Sequence, residues 1–290
     1  MLLLALTATA ANAEPPSSRV ALFFWNPPSF HNFGDYLSLK LVERIVGQPV
    51  PVWDQRCTGR KLLAIGSILA FARDGDIVWG SGQHGGGTKK SDYPFTKLDV
   101  RAVRGPLTRA FLRDVLGVPC PAVYGDPALL IPWFFPEFKR AARPKHEYIV
   151  LLHYADVEKF PKNGSPNIVY ATDPWDQIIA RIVDSKLVIS SSLHGIVVAE
   201  AFGVPARFLR VSETEALLKY RDYYLGTGRA GFRFARTVDE ARALGGEPPA
   251  KFDPVALYEA FPFELWPAAK FKRPDFSRRP WCQKRPSTGQ

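Results

Sequence analysis

One segment concentrates groups that can do chemistry: Ser190-Ser191-Ser192-Leu193-His194-Gly195, followed by an apolar stretch ending Phe202-Gly203-Val204-Pro205. Hydroxyls and an imidazole at a helix start suit binding an anion and moving a proton, because first-turn amides lack intrahelical acceptors and histidine titrates near neutral pH. The Gly-x-Ser-x-Gly pattern of a serine-hydrolase elbow is absent. Arg104 stands between a strand end and a helix opened by Gly105-Pro106, and a guanidinium beside free amides makes a site for phosphate or carboxylate, with a surface arginine in an ion pair as the alternative. Asn32-Phe33-Gly34-Asp35 precedes another helix. Asp35 can cap it, orient a sugar hydroxyl or accept that hydroxyl's proton. Gly80 to Gly87 holds five glycines in eight residues, which admits close backbone approach to a phosphate or sugar. Gly82 and His84 are the candidate contacts there, and a flexible lid is the alternative. The segment lacks both the P-loop and the dinucleotide fingerprint. Gly125-Asp126-Pro127 offers a carboxylate that either binds a hydroxyl or caps a turn. Tyr220 to Tyr224 supplies aromatic faces for a sugar ring, with Tyr223 the candidate, or else forms an ordinary surface helix. No His pair at i, i+4 with a carboxylate and no acidic cluster is present, so neither metal nor organic cofactor is expected.

These residues need elements to hold them. Val20–Trp25 (VALFFW) is the apolar run of a strand covered on both faces. Tyr36–Gly47 repeats Leu37, Leu41 and Ile45 at helical spacing and closes on glycine. Lys61–Ile65, Ile77–Trp79, Leu98–Val103 and Pro121–Tyr124 read as further strands, with a helix over Pro106–Leu116. Residues 137–146 are charged and aperiodic, as in a linker. A second series follows, with strands at Tyr148–His153, Ile168–Ala171, Leu187–Ser190 and Arg207–Val211 and helices near Trp175–Val183 and Gly195–Phe202. This alternation predicts an α/β fold of two Rossmann-like domains with parallel sheets, residues 20–140 and 147–266. A leader, 1–19, and a basic tail, 267–290, flank them. Ligands in such folds bind outside the carboxyl ends of the strands and between domains.

Composition narrows the classes of function. The 290 residues are 46% hydrophobic and 23% charged, which excludes wholesale disorder. The net charge is +10, yet residues 267–290 alone hold seven basic side chains against one acid, Asp275. The mildly basic remainder makes no case for nucleic acid and fits an anionic small molecule. The tail suits an anionic membrane surface, with a solvated end as the alternative. Cys57, Cys120 and Cys282 are unclustered, which excludes a disulfide framework and implies a reducing compartment. Met1–Ala13 ends in the cleavage-like Ala11-Asn12-Ala13 but has no basic start, so an unstructured leader is expected, with a weak secretory signal as the alternative. No stretch approaches the ~18 apolar residues of a membrane span.

Taken in order, NFGDYLS (Asn32–Ser38), AVRGPLTRAFL (Ala102–Leu112), VYGDPALL (Val123–Leu130) and SSSLHGIVVAEAFGVPA (Ser190–Ala206) resemble the polysaccharide pyruvyltransferase family. DGDIVWGSG (Asp74–Gly82) and DYYLGTGR (Asp222–Arg229) bring the resemblance closer to the ketal pyruvyltransferases of xanthan-type exopolysaccharide assembly, over about residues 20–266. The resemblance implies a GT-B-like pair of domains with the active site in the cleft. It implies transfer of the enolpyruvyl group of phosphoenolpyruvate to two hydroxyls of one hexose. The product is a cyclic pyruvate ketal, usually 4,6-linked, and phosphate leaves. Phosphoenolpyruvate is then a co-substrate, and the acceptor is a glycan or lipid-linked oligosaccharide. A cytosolic donor implies a cytoplasmic enzyme, with the tail at the inner face of the membrane.

By motif, His194 resembles the family's donor-binding histidine and proposed general acid. Arg104 resembles the arginine on the donor's phosphate or carboxylate. Ser190, Ser191, Ser192 and Gly195 complete the donor side. Asp35 is the candidate base, and Asn32, Gly82, His84, Asp126 and Tyr223 form the acceptor side. Many members carry arginine where this chain has Ser192. Arg207, Arg210 and Lys219 are candidates for the missing cation; otherwise the serine meets the phosphate neutrally. A nucleotide-sugar glycosyltransferase of the same fold and a non-catalytic carbohydrate-binding derivative are the alternative functions.

Overall fold

A computed structural model describes residues 20–57, 59–160, 165–213, 216–266 and 269–277. The leader and the tail residues Arg278, Arg279, Lys284 and Arg285 lie outside the described residues. In the first half, β1 (Ala21–Phe23), α1 (Phe33–Val46), β2 (Lys61–Leu63), β3 (Ile77–Trp79), β4 (Asp99–Ala102), α2 (Pro106–Ala110) and α3 (Ile131–Phe134) follow in order. In the second come β5 (Ile149–Leu152), β6 (Ile168–Tyr170), α4 (Trp175–Val183), β7 (Val188–Ser190), α5 (Leu193–Ala201), β8 (Ala206–Leu209), α6 (Leu218–Gly226), β9 (Phe234–Ala235), α7 (Val238–Leu244) and α8 (Pro254–Glu259). Two parallel sheets result, ordered β1-β2-β3-β4 and β6-β5-β7-β8-β9. Their registers pair Leu22 with Leu62 and Val150 with Ile189. Strands buried on both faces carry unbroken apolar runs, as Ile149–Leu152 does.

Helix α1 lies between the sheets. Leu37, Leu41, Val42 and Ile45 are fully buried or nearly so, in one apolar cluster with Ile178, Ile179 and Val197 from α4 and α5. Each such side chain contributes roughly 1.5–3 kcal/mol on burial. The first amide of α1, Phe33 N–H, donates to Ala171 O at the end of β6, tying the helix start to the second sheet. Helix α5 is apolar all round and accordingly buried on every side. The chain finally returns to the first sheet. Trp79 Nε1 donates to Leu257 O at 2.8 Å, and Trp79 meets Phe261 edge-on at 4.9 Å. Part of the tail is anchored there too, with Phe276 packing on Tyr258 at 5.3 Å and Phe271 on Phe263 at 4.8 Å.

Three elements differ from the expectations. Helix α1 opens at Phe33 with Asn32 at its N-cap, so Asp35 stands in the first turn instead of capping it. The expected helix over Pro106–Leu116 changes to a π-turn at Phe111–Val115 before Gly117, at φ 73°, ends it. The expected strand Pro121–Tyr124 reduces to one bridge, Tyr124 to Val103. Pro121 has no N–H to give a ladder, and Gly125 turns away at φ 146°. Strand β9, only two residues long, gave no sequence signal. No helix among the described residues is long and apolar enough to cross a membrane.

Candidate functional site

Loops from the carboxyl ends of both sheets meet around a cleft of about 250 Å3. β1 delivers Trp25, β2 delivers Ser67 and Ile68, β3 delivers His84, β5 delivers His153 and Tyr154, and β7 delivers Ser192 to His194. Helix α1 adds Asn32 and Asp35, and α6 adds Lys219.

His194 is the second residue of α5, and its Nε2 lies 3.5 Å from Asp126 Oδ2. Both atoms are buried, and neither has a hydrogen-bond partner among the described residues. The other oxygen of Asp126 accepts Ala128 N–H at 3.0 Å, which fixes the carboxylate. Asp126 therefore both caps its turn and faces the imidazole. On the opposite side the ring rests on Gly34, where any Cβ would stand 1.8 Å from Nδ1. Helix α1 can pass this close only because that residue is glycine.

Asp35 is 7% exposed and accepts Asn32 Nδ2 at 2.5 Å. Gly66, at φ 122°, leaves room for it, since a Cβ there would lie 2.5 Å from Asp35 Oδ1. Burial pushes the Asp35 carboxyl above its ordinary value, against the opposing pull of His194, the Asn32 hydrogen bond and Lys219. A base with a raised pKa is a better proton acceptor near neutrality. It also has a stability consequence. A carboxyl whose folded pKa is raised binds its proton more tightly when folded, so the stability it adds is present at low pH and lost as pH rises through the folded value. Asp35→Asn is accordingly expected to melt higher than the wild type near neutral pH, with the gap closing in mild acid. Paired thermal melts at the two pH values check this; a lower melting point near neutrality would contradict it.

Arg104 is fully buried and does not line the cleft. Its Nη1 donates to Ser67 Oγ at 2.7 Å and its Nη2 to Gln83 O at 2.6 Å, while Nε lies 3.4 Å from Asp222 Oδ2. The anion position expected at the start of α2 is taken by the protein's own Asp222, which accepts Leu107 and Thr108 N–H. Arg104 thus stands behind Ser67, which does face the cleft. Gly82 underlies the same guanidinium, with a Cβ position 2.4 Å from Arg104 Cζ. Tyr223 is also in the core, donating to Glu200 at 2.6 Å, so the structure places neither Gly82 nor Tyr223 at the cleft.

The serines divide. Ser190 Oγ accepts Ser192 N–H at 3.0 Å and shares its own proton between the Leu151 and Ser192 carbonyls. Gly195 permits this packing, its Cβ position lying 2.3 Å from Ser190 Oγ. Ser191 Oγ accepts His153 N–H at 2.9 Å. Ser192 reaches the cleft, as the N-cap of α5 with no side-chain cap bond. Of the three candidate cations, Arg207 is buried against Glu247 and Arg210 pairs with Glu213. Lys219 lines the cleft with Ser192. The sequence reading also passed over Trp25, Ser67, Phe71, His153 and Tyr154, although each follows a strand's carboxyl end. Among the described residues no group of three or more His, Cys, Asp or Glu is arranged to hold a metal ion.

Residues 32–213 match the sequence profile of the polysaccharide pyruvyl transferase family. The chain is 28% identical to the succinoglycan biosynthesis protein ExoV of Rhizobium meliloti (strain 1021), over 69% of this chain and 63% of that one. It is 27% identical to an uncharacterized protein of Acanthamoeba polyphaga mimivirus, over 55% of this chain and 57% of that one. The alignments thus span 57% and 63% of the length of these two relatives. A crystal structure of a functionally uncharacterized protein from Klebsiella pneumoniae aligns with 76% of this chain and 94% of its own, at 13% identity and a TM-score of 0.44.

Proposed function

The chain belongs to the polysaccharide pyruvyl transferase family, and from that premise we propose that its cleft transfers the enolpyruvyl group of phosphoenolpyruvate to two hydroxyls of one hexose on a glycan or lipid-linked oligosaccharide. The observation that carries the reading is the convergence in one cleft of a histidine facing a fixed carboxylate, His194 on Asp126, with the buried acid Asp35 and the cation Lys219. An acid, a base and an anion-binding group are what this reaction needs.

His194, in its protonated form, gives a proton to the methylene carbon of the donor, which becomes the methyl group. Asp35 takes the proton of the first attacking sugar hydroxyl, whose oxygen bonds to the adjacent carbon. The carbon–oxygen bond to phosphate then breaks, and phosphate leaves with the electron pair. The second hydroxyl adds to the same carbon, and its proton departs with phosphate. Lys219, Ser192 and the first amides of α5 stabilise the donor's charge and the leaving phosphate, and Arg104 holds Ser67 at the cleft wall. We assign acceptor hydroxyls to Asn32 and His84; both line the cleft, and the buried Asn32 Oδ1 has no hydrogen-bond partner among the described residues. We read the two sheets as the two halves of a GT-B-like enzyme, residues 20–140 and 147–266. One sheet lying wholly in each range supports this.

Asp126→Asn keeps an oxygen to cap Ala128 but removes the charge facing His194. We expect kcat to fall roughly tenfold or more, equal to about 1.4 kcal/mol of barrier, with the donor KM little changed. Steady-state kinetics decide this, and an unchanged kcat would remove Asp126 from the mechanism. The function itself is tested with donors in parallel. Acceptor-dependent phosphate release from phosphoenolpyruvate supports it, whereas consumption of a nucleotide sugar with no such release would indicate a glycosyltransferase.

A further inference from the structure

The cleft lining is of two chemical kinds. Asn32, Asp35, Ser192, His194 and Lys219 are polar or charged. Trp25, Ile68, Phe71 and Tyr154 supply aromatic and aliphatic surface. Trp25 follows β1 and Tyr154 follows β5, so each sheet contributes one ring. The rings stack at 5.2 Å and 27°. Phe30 supports both, edge-on to Trp25 at 6.0 Å and tilted on Tyr154 at 5.2 Å. Phe71 is 48% exposed, one of only three large apolar side chains so exposed among the described residues, and it faces this cleft. Phe71 packs on Phe23 at 5.3 Å, and its exposed surface, in the cleft that the braced pair also lines, is apolar area left for a ligand to cover.

We propose that these apolar residues form the acceptor subsite, with Trp25, Tyr154 and Phe71 a platform for the apolar face of one hexopyranose ring. The proposal rests on the pyruvyl-transfer reading for the identity of the sugar as acceptor. The donor is compact and highly anionic, so it belongs beside Lys219. A pyranose is neutral, with C–H groups on its faces and hydroxyls at its rim, and such a ring matches an aromatic wall in a cleft that also holds Asn32 and Asp35. The volume of about 250 Å3 lies just below the roughly 300–1,000 Å3 of ordinary ligand pockets. A cleft this small holds no more than one sugar ring beside the donor and leaves the remaining glycan outside. Recognition is of a terminal residue.

The test is a binding titration that needs no turnover. Wild-type protein is titrated with methyl glycosides of glucose, galactose and mannose while tryptophan fluorescence is followed; Trp25→Phe, Trp25→Ala and Tyr154→Ala are run beside it. Phosphoenolpyruvate affinity is measured separately by thermal shift. We expect at least one glycoside to change the wild-type emission. That change should vanish in Trp25→Phe, which keeps an aromatic ring and binding measurable by calorimetry. Trp25→Ala and Tyr154→Ala should weaken glycoside binding tenfold or more with donor affinity within about twofold, tenfold corresponding to about 1.4 kcal/mol. Should Trp25→Ala fail to fold, Tyr154→Ala and Trp25→Phe still decide the question. Equal glycoside affinity in wild type and the folded alanine variants would overturn the platform, as would no glycoside binding to wild type. Glycoside binding that requires Trp25, in a protein that releases no phosphate from phosphoenolpyruvate, would leave the platform standing and overturn the transfer reaction instead.

Discussion

Asp222→Ala is expected to lose about 3–5 kcal/mol of stability, the usual consequence of removing one member of a buried ion pair. Asp222 and Arg104 are both fully buried. One carboxylate oxygen accepts Leu107 N–H at 2.8 Å and Thr108 N–H at 3.1 Å, and the other accepts Thr108 Oγ1–H at 2.6 Å and faces Arg104 Nε. Truncation would strand a guanidinium and three donors without water. The surrounding backbone leaves no room to rearrange. A Cβ on Gly105 would lie 1.9 Å from Asp222 O, and one on Gly226 would lie 2.3 Å from Arg104 O. Helix α6 is thereby locked onto the start of α2, and the guanidinium is held behind Ser67. Burial already pulls the Arg104 pKa down, and Asp222 is the strongest opposing influence. Urea unfolding should show a lower midpoint with an unchanged slope. Asp222→Asn, which keeps an acceptor for the amides, should fall between wild type and alanine. A loss under about 1 kcal/mol in alanine would show that the pair does not hold the halves together.

His194→Ala is expected to lower phosphate release at least ~100-fold, since a positioned general acid contributes about 10²–10⁴. The alanine variant also leaves the Asp126 oxygen buried without its facing ring, so part of its defect is structural. His194→Gln separates the two effects. It fills most of the space and offers an N–H toward Asp126, yet it cannot deliver a proton, so a folded glutamine variant should be as inactive as alanine. Turnover within tenfold of wild type in His194→Gln would assign proton delivery elsewhere.

The strand–helix rhythm was legible in the sequence because both-face burial writes itself as unbroken apolar runs; Ile77–Trp79 and Trp175–Val183 have the expected bounds. Pro121–Tyr124 misled because Ala122, Val123 and Tyr124 suit a strand, while Pro121 gives the ladder no N–H and Gly125 turns the chain away after a single bridge. In the site, His194, Asp35, Asn32, Ser192 and His84 were placed by one rule, the strand's carboxyl end, and all reach the cleft. Arg104 obeys the same rule yet lies beneath it. The rule fixes where a Cα is, while the side chain's direction depends on Asp222, more than a hundred residues away. Tyr223 fails for a similar reason, because helix α6 is too short and too evenly polar for periodicity to show its inner face. Asp126 was legible as a cap, but its facing of His194 was not, since that joins two halves whose relative placement no local pattern encodes. Trp25 and Tyr154 were passed over because a single aromatic after a strand is a common core residue; only their meeting across the cleft distinguishes them.

Addition of the donor's carbon to two sugar oxygens, after protonation of its methylene, is read by running the reaction with phosphoenolpyruvate and a hexoside in heavy water, assaying phosphate and recording the proton NMR of the purified sugar. One phosphate released per ketal formed, a new methyl signal on the sugar, and one deuteron in that methyl group are expected. No phosphate release with any hexoside, or release without a methyl signal on the sugar, would contradict it.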